Sequence, residues 1–223
     1  MSSERPATRV GAVWRYKSGI QTVILLLALA LFAGMMATGG PGTPFDERYH
    51  RLLYAGDNPV LVRNAQLLTQ IGSFYVLVPA AAVTAVLLYL RRRRMRVALL
   101  LVMVFGGRLL VELIKILVDR QRPGISPHLE AVHSMSFPSG HTANATITWL
   151  AIALLIPVPH RLRPVLVGIG LAVALQVGWS RVALGVHWPS DVIGGWAFGL
   201  AWVIACMRLA SARPDAEASA GAR

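Results

Sequence analysis

Residues 74–118 read FYVLVPAAAVTAVLLYL, then RRRRMR, then VALLLVMVFGGRLLVELIKILV. Two apolar runs thus flank a turn that carries five arginines. Each run approaches the roughly 20 apolar residues that take a helix across about 30 Å of hydrocarbon. In a bilayer the backbone must satisfy its own hydrogen bonds, and a helix does so within one segment. The pattern predicts a hairpin of membrane helices whose basic turn stays in the cytoplasm, because short loops rich in Lys and Arg are retained there.

Reading outward, similar apolar runs occupy residues 20–37, 142–158, 165–184 and 188–207. With 74–90 and 97–118 they make six spans, so the expected fold is all-α: a polytopic bundle of six transmembrane helices over residues 20–210. Between spans one and two, turn signals at Pro41-Gly42 and Asp57-Asn58-Pro59 bracket a partly amphipathic stretch, 60–71. This is expected as an interfacial helix. Residues 1–19 read as a cytoplasmic N-terminal segment and residues 211–223, small and polar, as a disordered tail. Arg5, Arg9, Arg15 and Lys17 precede the first run without a clean small-residue cleavage site, which predicts an uncleaved first span.

Hydrophobic residues make up 55% of the 223 and charged ones 14%, a balance that excludes an ordinary soluble domain. The formal charge of +12 does not point to nucleic acid, because the basic residues cluster at span ends instead of along an aromatic-studded face. Anionic lipid headgroups are the fitting partner. The single cysteine, Cys206, lies in an apolar run and reads as a small core residue. Gly195 and Gly199, with Ala197 and Ala201, form small-xxx-small ridges that predict close helix packing in span six.

Alternating six spans places the N-terminal basics, residues 91–96, Arg161 with Arg163, and the basic tail on one side. That side holds most of the 22 basic residues and is expected to be cytoplasmic. Three polar blocks fall at the opposite face. They are Lys115 with Arg122-Pro123, then Pro138-Ser139-Gly140-His141, then Ser180-Arg181 with His187 and Asp191. Ionisable groups at span ends are costly and so usually functional.

Lys115 as a point charge and Arg122 as a planar fork are complementary grips on a phosphoryl group, with Pro123 expected to end the helix. Ser139 can cap a helix or bond a phosphate oxygen, Gly140 admits close backbone approach, and a helix start attracts an anion. His187 and Asp191 stand four apart, so on a helix the carboxylate can fix the imidazole tautomer and leave the other nitrogen free as a nucleophile. Arg181, at the end of span five, can reach the same phosphate. Ser180 reads as a phosphate donor or a helix cap, Trp188 as an interface anchor. Arg108, Glu112, Lys115 and Asp119 share a helix face. For Arg108 and Glu112 an ion ladder is the simpler reading, although Glu112 could also orient Lys115. His128 and His133 read as solvated loop residues.

The spacing Lys115-x6-Arg122-Pro123, the run Pro138-Ser139-Gly140-His141 and the pattern Ser180-Arg181-x5-His187-x3-Asp191 resemble the three signature motifs of the type 2 phosphatidic acid phosphatase superfamily. The resemblance implies a membrane helical bundle, no cofactor, no catalytic metal, and hydrolysis of a lipid phosphate through a phosphohistidine. His187 would be the nucleophile, His141 the acid and then base, Asp191 the orienting carboxylate. Lys115, Arg122, Ser139, Gly140 and Arg181 would hold the phosphate. It further implies a bacterial inner membrane protein with both termini cytoplasmic and its site at the periplasmic or exterior face. Phosphatidic acid, phosphatidylglycerophosphate, a prenyl diphosphate and a prenyl-linked sugar phosphate remain open as substrates. A phosphotransferase using the same histidine and an anion transporter are the alternatives; the second leaves His141 and the His187–Asp191 spacing unexplained.

Overall fold

The computed structural model describes the backbone of residues 18–220 and the side chains of residues 19–211. Arg5, Arg9, Arg15 and Lys17, the basis of the N-terminal reading, lie outside the described residues. Among the described residues the chain forms nine α-helices and no strand. They are α1 (Ser18–Thr38), α2 (Pro44–Leu53), α3 (Pro59–Gln70), α4 (Phe74–Leu90), α5 (Arg94–Leu101), α6 (Gly107–Val118), α7 (Gly140–Leu155), α8 (Arg163–Ala183) and α9 (Pro189–Ala220). A π-helical turn, Val102–Gly106, joins α5 to α6 without a break.

Local chemistry sets most of these limits. Asn58 caps α3, its side chain accepting from the amides of Val60 and Leu61 at 3.0 and 3.1 Å, with Pro59 in the first turn. The helix before Pro123 ends earlier than expected. Asp119 adopts a left-handed conformation (φ 49°) and closes α6 at Val118, so Arg122 lies in an irregular exit and not on a helical turn above Lys115. The helix α2 was not anticipated, while α3 matches the expected piece at 60–71. At the other end α9 continues to Ala220, through most of the segment expected as a disordered tail.

Among the described residues, five stretches are long and apolar enough to cross a membrane: Gly19–Thr38, Pro59–Leu90, Arg94–Val118, His160–Ala183 and Pro189–Ser211. The helix α7, expected as another span, has 16 residues and is the most enclosed. It packs against α4, α6, α8 and α9. Its last carbonyls are capped by two arginines: Arg96 donates to Leu155 O at 3.0 Å, and Arg163 to Ala153 O and Ile156 O at 3.1 Å each. The basic turns thus sit at one end of α7 and the polar blocks at the other. Large apolar side chains such as Leu26, Leu27, Val83, Leu90, Ile116 and Leu117 face outward, as lipid contact requires.

The small residues of α9 hold it close to α7. A Cβ at Gly199 would meet Thr146 Cβ at 2.7 Å and Ala143 O at 3.0 Å; one at Gly195 would meet Ser139 O at 3.0 Å. Cys206 is buried among apolar neighbours, as its position suggested. Gly168 on α8, by contrast, has open space where a Cβ would stand. Gly199→Val should therefore destabilise the protein by about 1–3 kcal/mol through overpacking, whereas Gly168→Val should not overpack. Melting curves of the two variants in detergent will show the contrast.

Candidate active site

The end of the bundle opposite the basic turns encloses a cavity of about 240 Å³. Lys115, Arg122, Gly140, His141, Arg181 and His187 all line it, so the three separated blocks meet in one place. Ser139 and Asp191 lie behind its wall, fully buried.

His187 is held from both sides. Its Nε2 lies 3.2 Å from an Arg122 NH1, and guanidinium nitrogens only donate, so Nε2 is the acceptor and the proton of the neutral ring sits on Nδ1. Nδ1 in turn is 3.4 Å from Asp191 Oδ2 and 3.4 Å from Ser136 Oγ. Burial first, and then the charges of Arg122, Arg181 and Lys115, push the His187 imidazole well below its ordinary pKa. At neutral pH it is uncharged, with a lone pair on Nε2 at the cavity.

The i,i+4 spacing of His187 and Asp191 arises differently from the helix expected. Pro189 fixes the first turn of α9, so His187 lies before the helix. Asp191, in that first turn, reaches back to accept from the Trp188 amide at 2.9 Å, as the third residue of a capping box does. One carboxylate thus caps the helix and backs the histidine. Trp188 is buried and donates to Gln121 O at 2.9 Å, which corrects its reading as an interface anchor.

Two more groups saturate Asp191, Ser136 and Arg120, and the sequence reading missed them. Ser136 donates to Oδ2. Arg120 NH1 donates to Oδ1 at 2.9 Å and to Ser190 Oγ at 3.0 Å. Arg120 NH2 donates to Met35 O and Met36 O at 2.8 and 2.7 Å, tying the site to the last turn of α1. The guanidinium stacks 4.3 Å from the centre of the Phe137 ring. No local signal marked it: Arg120 stands two residues before Arg122, but its partners Asp191 and Met35 lie 71 and 85 residues away. On the far side, Asp46 of α2 accepts from Ser190 N and Oγ at 2.8 and 2.6 Å.

The cations of the cavity are held mostly by neutral acceptors. Lys115 donates to Met135 O at 2.6 Å and to Ser134 Oγ at 3.2 Å. Arg122 donates to Ser134 O at 2.7 Å and Val186 O at 2.6 Å. Burial, and then the nearby Arg181, lower Arg122 to about 10, so it stays cationic at neutral pH. Arg181 differs. It is buried in the last turn of α8, bonded to Thr69 Oγ1 at 2.6 Å and ion-paired with Glu130 from the loop at 119–139. Glu130 is therefore a carboxylate competing for the place of an incoming anion.

The second block opens α7. Its first turn leaves the amides of Gly140, His141 and Thr142 without helical partners, a positive end aimed at the cavity. A Cβ at Gly140 would point toward Lys115 Cε at 3.6 Å, so glycine leaves that space to a ligand. Ser139 makes no side-chain cap. Its hydroxyl accepts from Thr142 Oγ1 at 2.9 Å, and its amide donates to Asp191 O at 3.0 Å, pinning the block to α9. Ser180 bonds Val177 O at 2.6 Å, a helix contact. Arg108, Glu112 and His133 line the cavity, yet Arg108 and Glu112 form no ion pair among the described residues, and the expected ladder is absent there. His128 bonds Pro123 O at 2.7 Å.

Fold and cavity together define a class, the integral membrane phosphohydrolases. A family model described as the PAP2 superfamily matches residues 96–215, more than half of the chain, and the protein belongs to that family. It is 35% identical over 138 residues to phosphatidylglycerophosphatase B of Bacillus subtilis (strain 168), covering 60% of this chain and 67% of that protein. It is 31% identical over 188 residues to an undecaprenyl-diphosphatase of Sulfolobus acidocaldarius, covering 81% and 86%. The crystal structure of a transmembrane PAP2 type phosphatidylglycerolphosphate phosphatase from Bacillus subtilis matches with a TM-score of 0.73 at 27% identity, covering 85% of this chain and 94% of that one.

Two outcomes test the geometry. Arg120→Ala strands a buried carboxylate and should cost about 3–5 kcal/mol of stability. Adding Asp191→Asn should recover part of it, because the stranded charge is gone, and denaturation of the single and double variants measures the coupling. Glu130→Gln removes the competing carboxylate at Arg181. Orthovanadate should then bind more tightly, by about tenfold or 1.4 kcal/mol, as read by titration.

Proposed function

We propose that this protein is a membrane-embedded lipid phosphate phosphatase that works through a phosphohistidine on His187. One observation carries the reading: His187 presents Nε2 to a cavity ringed by Lys115, Arg122, Arg181 and His141, while its Nδ1 is backed by Asp191 and Ser136. In the first step the Nε2 lone pair attacks phosphorus, the bond to the leaving oxygen breaks, and that oxygen takes a proton from His141, which carries one once the negative charge of the bound phosphate offsets the cations around it. Asp191 balances the positive charge that forms on the His187 ring. In the second step neutral His141 takes a proton from water as the water oxygen attacks phosphorus. The P–N bond breaks, its electron pair returns to Nε2, and inorganic phosphate leaves. One residue serves as acid and then base.

The cations, with the Gly140 amide and the helix start, hold the charge on the non-bridging oxygens. Ser139, one hydrogen bond behind the wall, supports this end instead of facing the cavity. A narrow hollow lined by Phe74, Leu77, Val78, Val104, Phe105 and Thr148 adjoins the cavity and shares Phe74, Arg108 and Asn144 with it. With room for only about 10 Å³ it does not hold a chain, but it marks the apolar edge along which a lipid chain would leave the cavity. The basic turns at the far end of α7 favour a cytoplasmic location for that end. The site then opens at the periplasmic or exterior face of a bacterial inner membrane, and the basic ends meet anionic headgroups.

Purified protein should release phosphate from a panel of lipid phosphates, resist chelators and be inhibited by vanadate; strict metal dependence would contradict the mechanism. His187→Ala should abolish turnover, a fall of at least about a thousandfold. Product analysis with and without an acceptor alcohol separates hydrolysis from phosphoryl transfer. A lowered pKa means the ring gains its proton only at more acidic pH, so the nucleophilic form persists as pH falls. NMR of labelled histidine should place the His187 titration below 6.5.

A further inference from the structure

Arg108 is the cation that the phosphate cradle leaves over. It lies within the Arg94–Val118 span, where a guanidinium is costly unless it faces a cavity and meets an anion. Among the described residues it forms neither an ion pair nor a hydrogen bond; its contact is the face of Phe74, 4.9 Å from the ring centre. That stack orients the planar fork and leaves its donors free.

Its position is set by the backbone. The π-helical turn at Val102–Gly106 adds one residue, rotating α6 by roughly 100° relative to an uninterrupted helix. Gly107 then presses the start of α6 onto its neighbours: a Cβ there would meet Ile147 Cδ1 at 2.5 Å and the Trp202 ring at 3.0 Å. The same α6 face that carries Lys115 to the phosphate site carries Arg108 two turns deeper. Arg108 and Asn144 line both the catalytic cavity and the apolar hollow, so they stand at the passage between phosphate and lipid chain. Asn144 is one turn along α7 from His141, and the Arg108 charge acts on His141 alongside those of Arg181, Lys115 and Arg122.

Resting on the phosphatase reading above, we propose that Arg108, with Asn144, forms a subsite for a second phosphoryl group on the leaving-group side of the substrate. The oxygen that His141 protonates carries the rest of the lipid, which must pass Arg108 to reach the apolar hollow. An anionic group there receives a planar fork and an amide donor. Glu112 also lines the cavity, one turn from Arg108, and repels an anion from its own side. The second phosphate is thus confined to the edge formed by Arg108 and Asn144. Two kinds of lipid supply this chemistry. In a prenyl diphosphate the second phosphoryl is bonded directly to the first, and in phosphatidylglycerophosphate it is a phosphodiester across a glycerol. In each, the terminal P–O bond breaks and the second phosphate departs with the lipid.

Binding tests the subsite without turnover. Non-hydrolysable lipid methylenebisphosphonate and lipid monophosphonate with the same chain are titrated against wild type and Arg108→Gln in detergent. Wild type should prefer the bisphosphonate by about tenfold or more, and Arg108→Gln should lose that preference. Equal affinities in wild type, or a preference unchanged in the variant, overturn the subsite even if the enzyme proves active. Kinetics then separate the sources. The kcat/KM ratio of prenyl diphosphate to prenyl monophosphate, and of phosphatidylglycerophosphate to phosphatidic acid, is compared in both proteins. A fall of about tenfold in either ratio names the source, whereas both ratios within twofold of wild type count against the proposal.

Discussion

Asp191 is fully buried, and its two oxygens accept from Arg120, Ser136, Trp188 and the His187 ring. An isolated carboxylate in such a place would be too costly to keep ionised. The saturation of its oxygens makes the ion tolerable, and the donors come from three parts of the chain, His187 and Trp188 being neighbours. Arg120 brings the exit of α6 and, through Met35 and Met36, the end of α1. Ser136 brings the loop before α7. Trp188 sets the start of α9. A helix cap, an interhelical brace and the support of His187 are thereby one set of bonds, and the histidine cannot be misplaced without disturbing the bundle end that α1 and α9 share.

The cations face the opposite constraint, since they must stay charged and still be immobile. Backbone carbonyls solve this for Lys115 and Arg122, because Met135, Ser134 and Val186 offer dipoles that hold a cation without cancelling its charge. Their summed field helps keep His187 neutral, as its burial also does. The same field that would attract an anion therefore leaves His187 Nε2 unprotonated, its lone pair turned to Arg122. Arg181 is the exception, paired with a carboxylate on a loop. Unlike the carbonyl contacts, that pair is ionic on both sides, and its carboxylate is partly exposed.

Much of this was legible in the sequence because it rests on single-residue rules. Apolar length gave the helices, basic turns gave the end opposite the site, and Lys115, Arg122, Gly140, His141, Arg181 and His187 reached one cavity. The readings that changed depend on where helices begin and end. Asp119 turned left-handed and took Arg122 off the helix, and Pro189 moved the start of α9 so that the His187–Asp191 pairing comes from a capping box. Arg120, Ser136 and Glu130 were missed because their roles exist only through long-range partners, such as Met35 O, 85 residues away from Arg120. Local spacing carries no trace of such a contact.

The length of α7 ties these parts to the membrane. Its 16 residues rise about 24 Å, less than the roughly 30 Å hydrocarbon thickness. Arg96 and Arg163 fasten its C-terminal end among the basic turns, where a bilayer surface would lie. The shortfall of several ångströms must then appear at the other end, which carries Gly140 and His141. The loop at 119–139 covers this recess and contributes the Ser134, Met135 and Ser136 contacts that hold Lys115, Arg122 and Asp191. His141 therefore lies below the headgroup level, beside the apolar hollow that Phe74, Leu77, Val104 and Phe105 line. A full-length α7 would lift the same residues into water, where the cations would be hydrated and each contact with phosphate would be weaker.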